Sequence, residues 1–201
     1  GDSQINGIRN YSNNNVNIFD FATDSLIRQP QNMAFRRWYA TAVTLSNGDH
    51  VVLGGRNNKP FVGSSTKPST EASYSPTPEI RALNGGWRSL ISASSEEAYG
   101  ELGGSAWNYP RAWLNPQGHI FIINHAGAMY SLNTSGSGSL IKHKERTDPS
   151  SPSLPSLMFA PGRILSIRKN RVAVVVDLNN ANAPVLTPSG RPIRDRQYGN
   201  A

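Results

Sequence analysis

Cysteine is absent from this 201-residue chain. No disulfide, thiolate metal site or cysteine nucleophile can form within it. Apolar runs never reach the ~18 residues of a transmembrane helix. The opening Gly1-Asp2-Ser3-Gln4 lacks the basic segment and apolar stretch of a secretory signal. Without an initiator Met, the chain is expected to be a processed or excised piece. Long helical periodicity is missing as well. Carboxylates are few and are expected to fall in loops, as at Glu96 and Glu97, which gives no paired-acid signature of hydrolysis. The histidines are His50, His119, His125 and His143, and none forms a compact ligand pair. The run Thr134-Ser135-Gly136-Ser137-Gly138 has no Lys after its last Gly and no helix following, so it is not a phosphate loop.

Glycine and proline are plentiful, at 18 and 14 residues. With this composition the chain reads as short strands joined by many turns. One phrase then recurs three times. The first copy is Trp38-Tyr39-Ala40-Thr41-Ala42-Val43-Thr44-Leu45, Ser46-Asn47-Gly48, then Val51-Val52-Leu53-Gly54-Gly55. The second is Tyr109-Pro110-Arg111-Ala112-Trp113-Leu114, a turn at Gln117-Gly118, then Ile120-Phe121-Ile122. The third is Met158-Phe159-Ala160, Pro161-Gly162, then Ile164-Leu165. Each reads as a β-hairpin with a two-residue primed turn, because Gly supplies the positive φ such a turn needs.

Two further strand-like segments follow each hairpin, giving four strands per unit. That is the blade of a β-propeller. The turn glycines stand at 48, 118 and 162, and the second interval lies in the ~40–50-residue range of propeller blades. The expected division is the end of a blade over 1–35 and a blade over 36–95 with a loop insertion at 57–75. Blades over 105–147 and 155–190 follow, with the start of another over 194–201. The fold class is therefore all-β, about three four-stranded blades with partial blades at both ends and little helix. Such an array leaves apolar faces open, so the chain is expected to be a fragment of a longer ring. The expected core is Ile18, Phe19, Val43, Leu45, Val51, Val52, Trp113, Phe121, Ile123, Leu165, Val174 and Val176.

The net charge is +7, from 20 basic and 13 acidic residues. Apart from 142–146 and 191–196 the basic residues are scattered. A nucleic-acid surface needs a clustered stripe, so no nucleic-acid partner is expected. Trp87, Trp107 and Trp113 could stack on sugars or fill space between blades, and packing is the simpler reading. The triplets Asn10-Tyr11-Ser12 and Asn133-Thr134-Ser135 match the N-glycosylation pattern.

Six pieces, in order, resemble kelch-type propellers of the galactose oxidase and glyoxal oxidase group. They are Asn13-Asn14-Asn15-Val16-Asn17-Ile18-Phe19-Asp20-Phe21; Met33-Ala34-Phe35-Arg36-Arg37-Trp38-Tyr39 leading to Asn47-Gly48 and Gly54-Gly55; Tyr109-Pro110-Arg111-Ala112; Tyr130 with the 134–138 run; Phe159-Ala160-Pro161-Gly162-Arg163-Ile164-Leu165; and Arg196-Gln197-Tyr198-Gly199-Asn200-Ala201. The resemblance implies a seven-bladed ring, a secreted or cell-surface location, and a single copper held by two tyrosines and two histidines. It implies a radical stored on a tyrosine cross-linked to a cysteine, and oxidation of a primary alcohol or aldehyde by O₂ with release of H₂O₂. Tyr39 matches the cross-linked tyrosine, and so is the implied catalytic and metal-binding residue. Arg111 is the implied substrate-binding arginine. The cysteine and the remaining ligands would lie outside these residues, so the chain alone is expected to be inactive and to hold no copper. Where galactose oxidase carries a stacking aromatic after Gly-Gly, this sequence has Arg56 and Asn57. A non-catalytic propeller that binds a glycan or a protein, or builds an extracellular assembly, stays open beside the oxidase. Under both readings the remainder of the propeller is the first partner.

Overall fold

The computed structural model describes residues 2–5, 8–57, 74–99, 108–150, 154–180 and 183–192, with side chains from residue 12 onward. The fold is all-β, the architecture of a partial β-propeller. Three four-stranded antiparallel sheets form in chain order. The first holds β5 (Thr41–Thr44), β6 (His50–Leu53), β7 (Glu79–Arg81) and β8 (Trp87–Ser89). The second holds β9 (Arg111–Leu114), β10 (Ile120–Ile123), β11 (Ala128–Asn133) and β12 (Ser139–Arg146). The third holds β13 (Ser156–Ala160), β14 (Arg163–Arg168), β15 (Val172–Asp177) and β16 (Val185–Pro188). Two two-stranded ribbons precede them: β1 (Asp2–Ile5) with β2 (Ile8–Ser12), and β3 (Asn17–Asp20) with β4 (Ser25–Arg28). The only α-helix among the described residues is the single turn α1 (Glu96–Tyr99). Most of the insertion at 57–75, Trp107 and the segment 194–201 lie outside the described residues.

The recurring hairpins form, but their turns differ from expectation. Leu45 donates its N–H to the Asp49 carbonyl at 2.8 Å and accepts from Gly48 at 3.0 Å; Asn115 repeats both bonds with His119 and Gly118 at the same distances. In both loops Gly48 and Gly118 take positive φ while Asn47 and Gln117 do not. This is the longer hairpin loop closed by a left-handed glycine, in place of a two-residue primed turn. At the third hairpin Ala160 pairs with Arg163 across Pro161-Gly162. Proline holds φ negative there, so that turn is not primed either.

The middle sheet organises the core. Ile120-Phe121-Ile122-Ile123 is apolar without alternation, the pattern of a strand covered on both faces. All four residues are buried. Ile120 and Ile122 join Val51, Leu53, Ile80 and Leu132 between the first and second sheets. Phe121 and Ile123 join Met129, Ile164, Val174 and Val176 between the second and third. Of the expected core, Val51, Phe121, Ile123, Val174 and Val176 are buried, and Val43, Leu45 and Trp113 pack against these clusters. Val52 and Leu165 are half-buried, because period-2 alternation turns them to the opposite face of their sheets. Ile18 and Phe19 are corrections: they are 36% and 58% exposed. They sit on the two-stranded ribbon, which offers too little surface to cover both its faces.

Candidate functional site

The segment before β5 approaches the segment before β9, and two of the left-handed non-glycine residues among those described meet there. Tyr39 and Tyr109, at matching places in their sheets, both have left-handed backbones, φ 60° and 51°. For a tyrosine that conformation costs roughly 1–2 kcal/mol and persists only where surroundings impose it. Trp38 exchanges two backbone hydrogen bonds with Arg56, each 2.8 Å, and the Tyr109 N–H donates to the Tyr39 carbonyl at 2.8 Å. Gly54-Gly55 makes this crowding feasible. A Cβ on Gly54 would lie 2.3 Å from Pro110 Cγ, and one on Gly55 would lie 3.0 Å from the Trp38 carbonyl oxygen.

The result is a stack of three rings. Trp38 and Tyr39 have centroids 4.3 Å apart, and Tyr39 and Tyr109 4.9 Å apart. Tyr39 is 38% exposed and Tyr109 45%, so the phenols lie against each other and still meet solvent. The Tyr39 hydroxyl makes no hydrogen bond to the described residues. Burial, then the neighbouring Tyr39 phenol, pushes the Tyr109 hydroxyl above its ordinary pKa.

One ion pair anchors the approach to the stack. Arg37 and Glu79 are both 1% exposed, with Arg37 Nη2 3.0 Å from Glu79 Oε2. Arg37 Nη1 donates to the Gly54 carbonyl at 2.7 Å, and the backbone N–H groups of Ala34 and Phe35 donate to the Glu79 carboxylate. Both Gly54 and the 34–37 segment are therefore tied to one carboxylate–guanidinium unit beside Trp38.

Arg111 begins β9 and is half-buried. Its Nη2 donates to the Leu154 carbonyl at 2.8 Å, a bond that ties the second sheet to the approach of the third. Burial lowers its pKa from the usual guanidinium value. Arg111, Tyr109, Thr41 and Ser156 line a cavity of about 260 Å³. Tyr109 thus touches Tyr39 through the ring stack and shares this cavity with Arg111.

His125 lies behind this surface, 8% exposed, with Nε2 3.3 Å from the Asn108 carbonyl. Burial, helped by the cations of Arg111, Arg168 and Lys169, pushes its pKa down to about 4. The unfolded chain binds this proton below about pH 6.5 and the folded chain does not. Stability is therefore expected to fall as pH drops from about 6.5 to about 4, by roughly 3 kcal/mol in total from this group. Denaturant melts across this range should show the loss, and His125→Asn should flatten it.

The other histidines stand apart. His50 Nδ1 is 3.0 Å from Thr44 Oγ1, and His143 Nε2 is 2.8 Å from Ser131 Oγ. Among the described residues no group of three His, Cys, Asp or Glu side chains could hold a metal. No described helix is long and apolar enough to cross a membrane. Sequence reasoning paired Tyr39 with a distant cysteine and missed Trp38 and Tyr109 as its ring neighbours. The usable signal was the matching position of the two tyrosines.

The fold is similar to that of a fungal alcohol oxidase of the AA5 family solved in complex with copper. The TM-score is 0.74 at 15% identity, and the match covers 98% of this chain and 40% of that chain. The likeness is one of fold, and the chain spans less than half the length of that oxidase. No family profile and no curated protein matches this sequence.

Proposed function

We propose that the chain is part of a copper-radical oxidase of the galactose oxidase and glyoxal oxidase type, with Tyr39 as a copper ligand. The observation that carries this reading is the Tyr39 phenol. It is held in a strained backbone, stacked between two aromatic rings, yet open to solvent. A deprotonated phenol is an oxygen donor suited to Cu(II). The likeness in fold to a copper-bound alcohol oxidase supports the assignment. Tyr39 is one donor; the others, and the cysteine partner, belong to the rest of the full-length protein.

When bound, copper supplies one-electron redox chemistry beside Tyr39. The net reaction is oxidation of a primary alcohol to an aldehyde, or of a hydrated aldehyde to an acid. Two electrons and two protons pass to O₂ and form H₂O₂. Trp38 and Tyr109 hold the Tyr39 ring between them and limit its rotation. Arg111, beside the neighbouring cavity, can present its outer N–H groups to substrate hydroxyls. In this proposal the blades over 36–95, 105–147 and 155–190 take their places in a seven-bladed, extracellular ring.

A second reading, a non-catalytic propeller that binds a glycan or a protein, draws support from two facts. Arg111 already holds a strand-end carbonyl, and Arg56 and Asn57 follow Gly54-Gly55 in place of an aromatic. The deciding experiment is a peroxide assay on the copper-loaded full-length protein with primary alcohols and aldehydes. Stoichiometric H₂O₂ is expected. Failure of both substrate classes to yield peroxide at saturating copper would favour the second reading.

A further inference from the structure

Two buried arginines lie in or beside the first sheet, Arg81 on β7 and Arg37 on the segment before β5, and they differ in what they bind. Arg37 is matched by the Glu79 carboxylate. Arg81, two residues further along β7 and 9% exposed, meets no carboxylate among the described residues. It reaches Gln29 Oε1 at 3.3 Å and the Ala82 carbonyl at 3.5 Å, and its Nε has no partner. Asp49 is engaged elsewhere, accepting from Leu83 N–H at 2.9 Å and from the Asn47 side chain at 3.0 Å. A buried cation with such poor acceptors is costly unless an anion completes it.

Its neighbours point the same way. Arg81 stands opposite His50 on one side and Trp87 on the other, and residues opposed across antiparallel strands share a face. The Trp87 indole N–H is also buried without an acceptor. The row His50, Arg81, Trp87 lines a groove of about 570 Å³ between the first sheet and the segment carrying Asn15 and Asn17. Val16, Met33, Ala42 and Val52 give the groove an apolar floor. A volume of this size accommodates a sugar or a short saccharide.

We propose that this groove binds an acidic sugar, a uronic acid. Its carboxylate is held by Arg81 and the Trp87 N–H, its ring lies against the half-buried indole, and its hydroxyls face His50, Asn15 and Asn17. The chemistry is complementary: two unmet donors, one of them cationic, beside an apolar and amide-lined wall. The proposal is independent of the oxidase reading, since none of these residues belongs to the Trp38, Tyr39, Tyr109 stack.

The test is calorimetric titration of the full-length protein with D-glucuronate, D-glucuronamide, D-glucose and benzoate, with indole fluorescence as a second readout. Glucuronate is expected to bind, with glucuronamide and glucose weaker by roughly ten- to a hundredfold. Its affinity should also fall with added salt. Arg81→Gln should erase the preference for the acid, and Tyr39→Phe should leave it unchanged. Equal binding of glucuronate and glucuronamide, or no binding of glucuronate, overturns the proposal. So does binding of benzoate without glucuronate, which would mark an apolar-acid site. Should Arg81→Gln fail to fold, the ligand series on the unaltered protein still decides.

Discussion

Glu79→Gln is expected to destabilise the protein by roughly 3–5 kcal/mol, the loss that follows when one partner of a buried ion pair is removed. Gln keeps the size of the side chain and can still accept from Ala34 N–H. It leaves the Arg37 guanidinium, 1% exposed, without its counter-charge in a low-dielectric setting. Arg37→Met should do comparable damage, because the Glu79 carboxylate then stays buried and the Gly54 carbonyl loses its 2.7 Å donor. The double variant should cost far less than the two losses added together, since no buried charge is stranded in it. Urea melts of the four proteins give the coupling directly. A single-variant loss under about 1 kcal/mol would mean that the pair behaves like a solvent-exposed one. The effect should reach the site, because this pair holds the 34–37 segment from which Trp38 and Tyr39 project.

The sheet architecture was legible because its signals are local. A left-handed glycine between two apolar runs dictates a hairpin whatever the rest of the chain does, and Ile120-Phe121-Ile122-Ile123 announces a strand covered on both sides. The details that failed depend on surroundings. Phe19 and Ile18 have the same apolar chemistry as Val51 and Val174. They are exposed because their ribbon carries two strands, and composition does not count strands. Leu165 and Val52 lie on real strands but on the less covered face, which a one-residue change in phase decides. The ribbon of β1 and β2 gave no recognisable pattern. At the site, Tyr39 could be singled out through the resemblance to the copper-radical oxidases. Its contact with Tyr109 could not, because the two meet only when the first and second sheets pack. Arg37 and Glu79 are 42 residues apart, with no periodicity to link them. Arg111 shows the opposite case. The resemblance implies a substrate contact for it; its bond to Leu154 makes it a strand-end tie, and its place beside the cavity keeps the substrate role testable.

Tyr39→Phe in the copper-loaded full-length protein is expected to remove peroxide production to below detection. The substitution deletes one oxygen. The ring remains, so its stacking at 4.3 and 4.9 Å on Trp38 and Tyr109 should persist. Because the hydroxyl is open and unbonded to the described residues, its loss should change stability by no more than about 0.5 kcal/mol. Copper chemistry is affected differently: Phe offers no donor atom and cannot be oxidised to a phenoxyl radical. The variant should therefore bind copper more weakly and show no tyrosyl radical signal after oxidation, with an unchanged melting curve. Tyr109→Phe is the matched control. It removes the equivalent hydroxyl from the neighbouring ring and keeps the stack, so copper binding and the radical should survive it. Loss of activity in both variants with intact folds would shift the chemistry from Tyr39 to the stacked pair. Undiminished peroxide from Tyr39→Phe would end the assignment of Tyr39 as a copper ligand. The strained, stacked tyrosines would then stand as the packing device that joins the first sheet to the second.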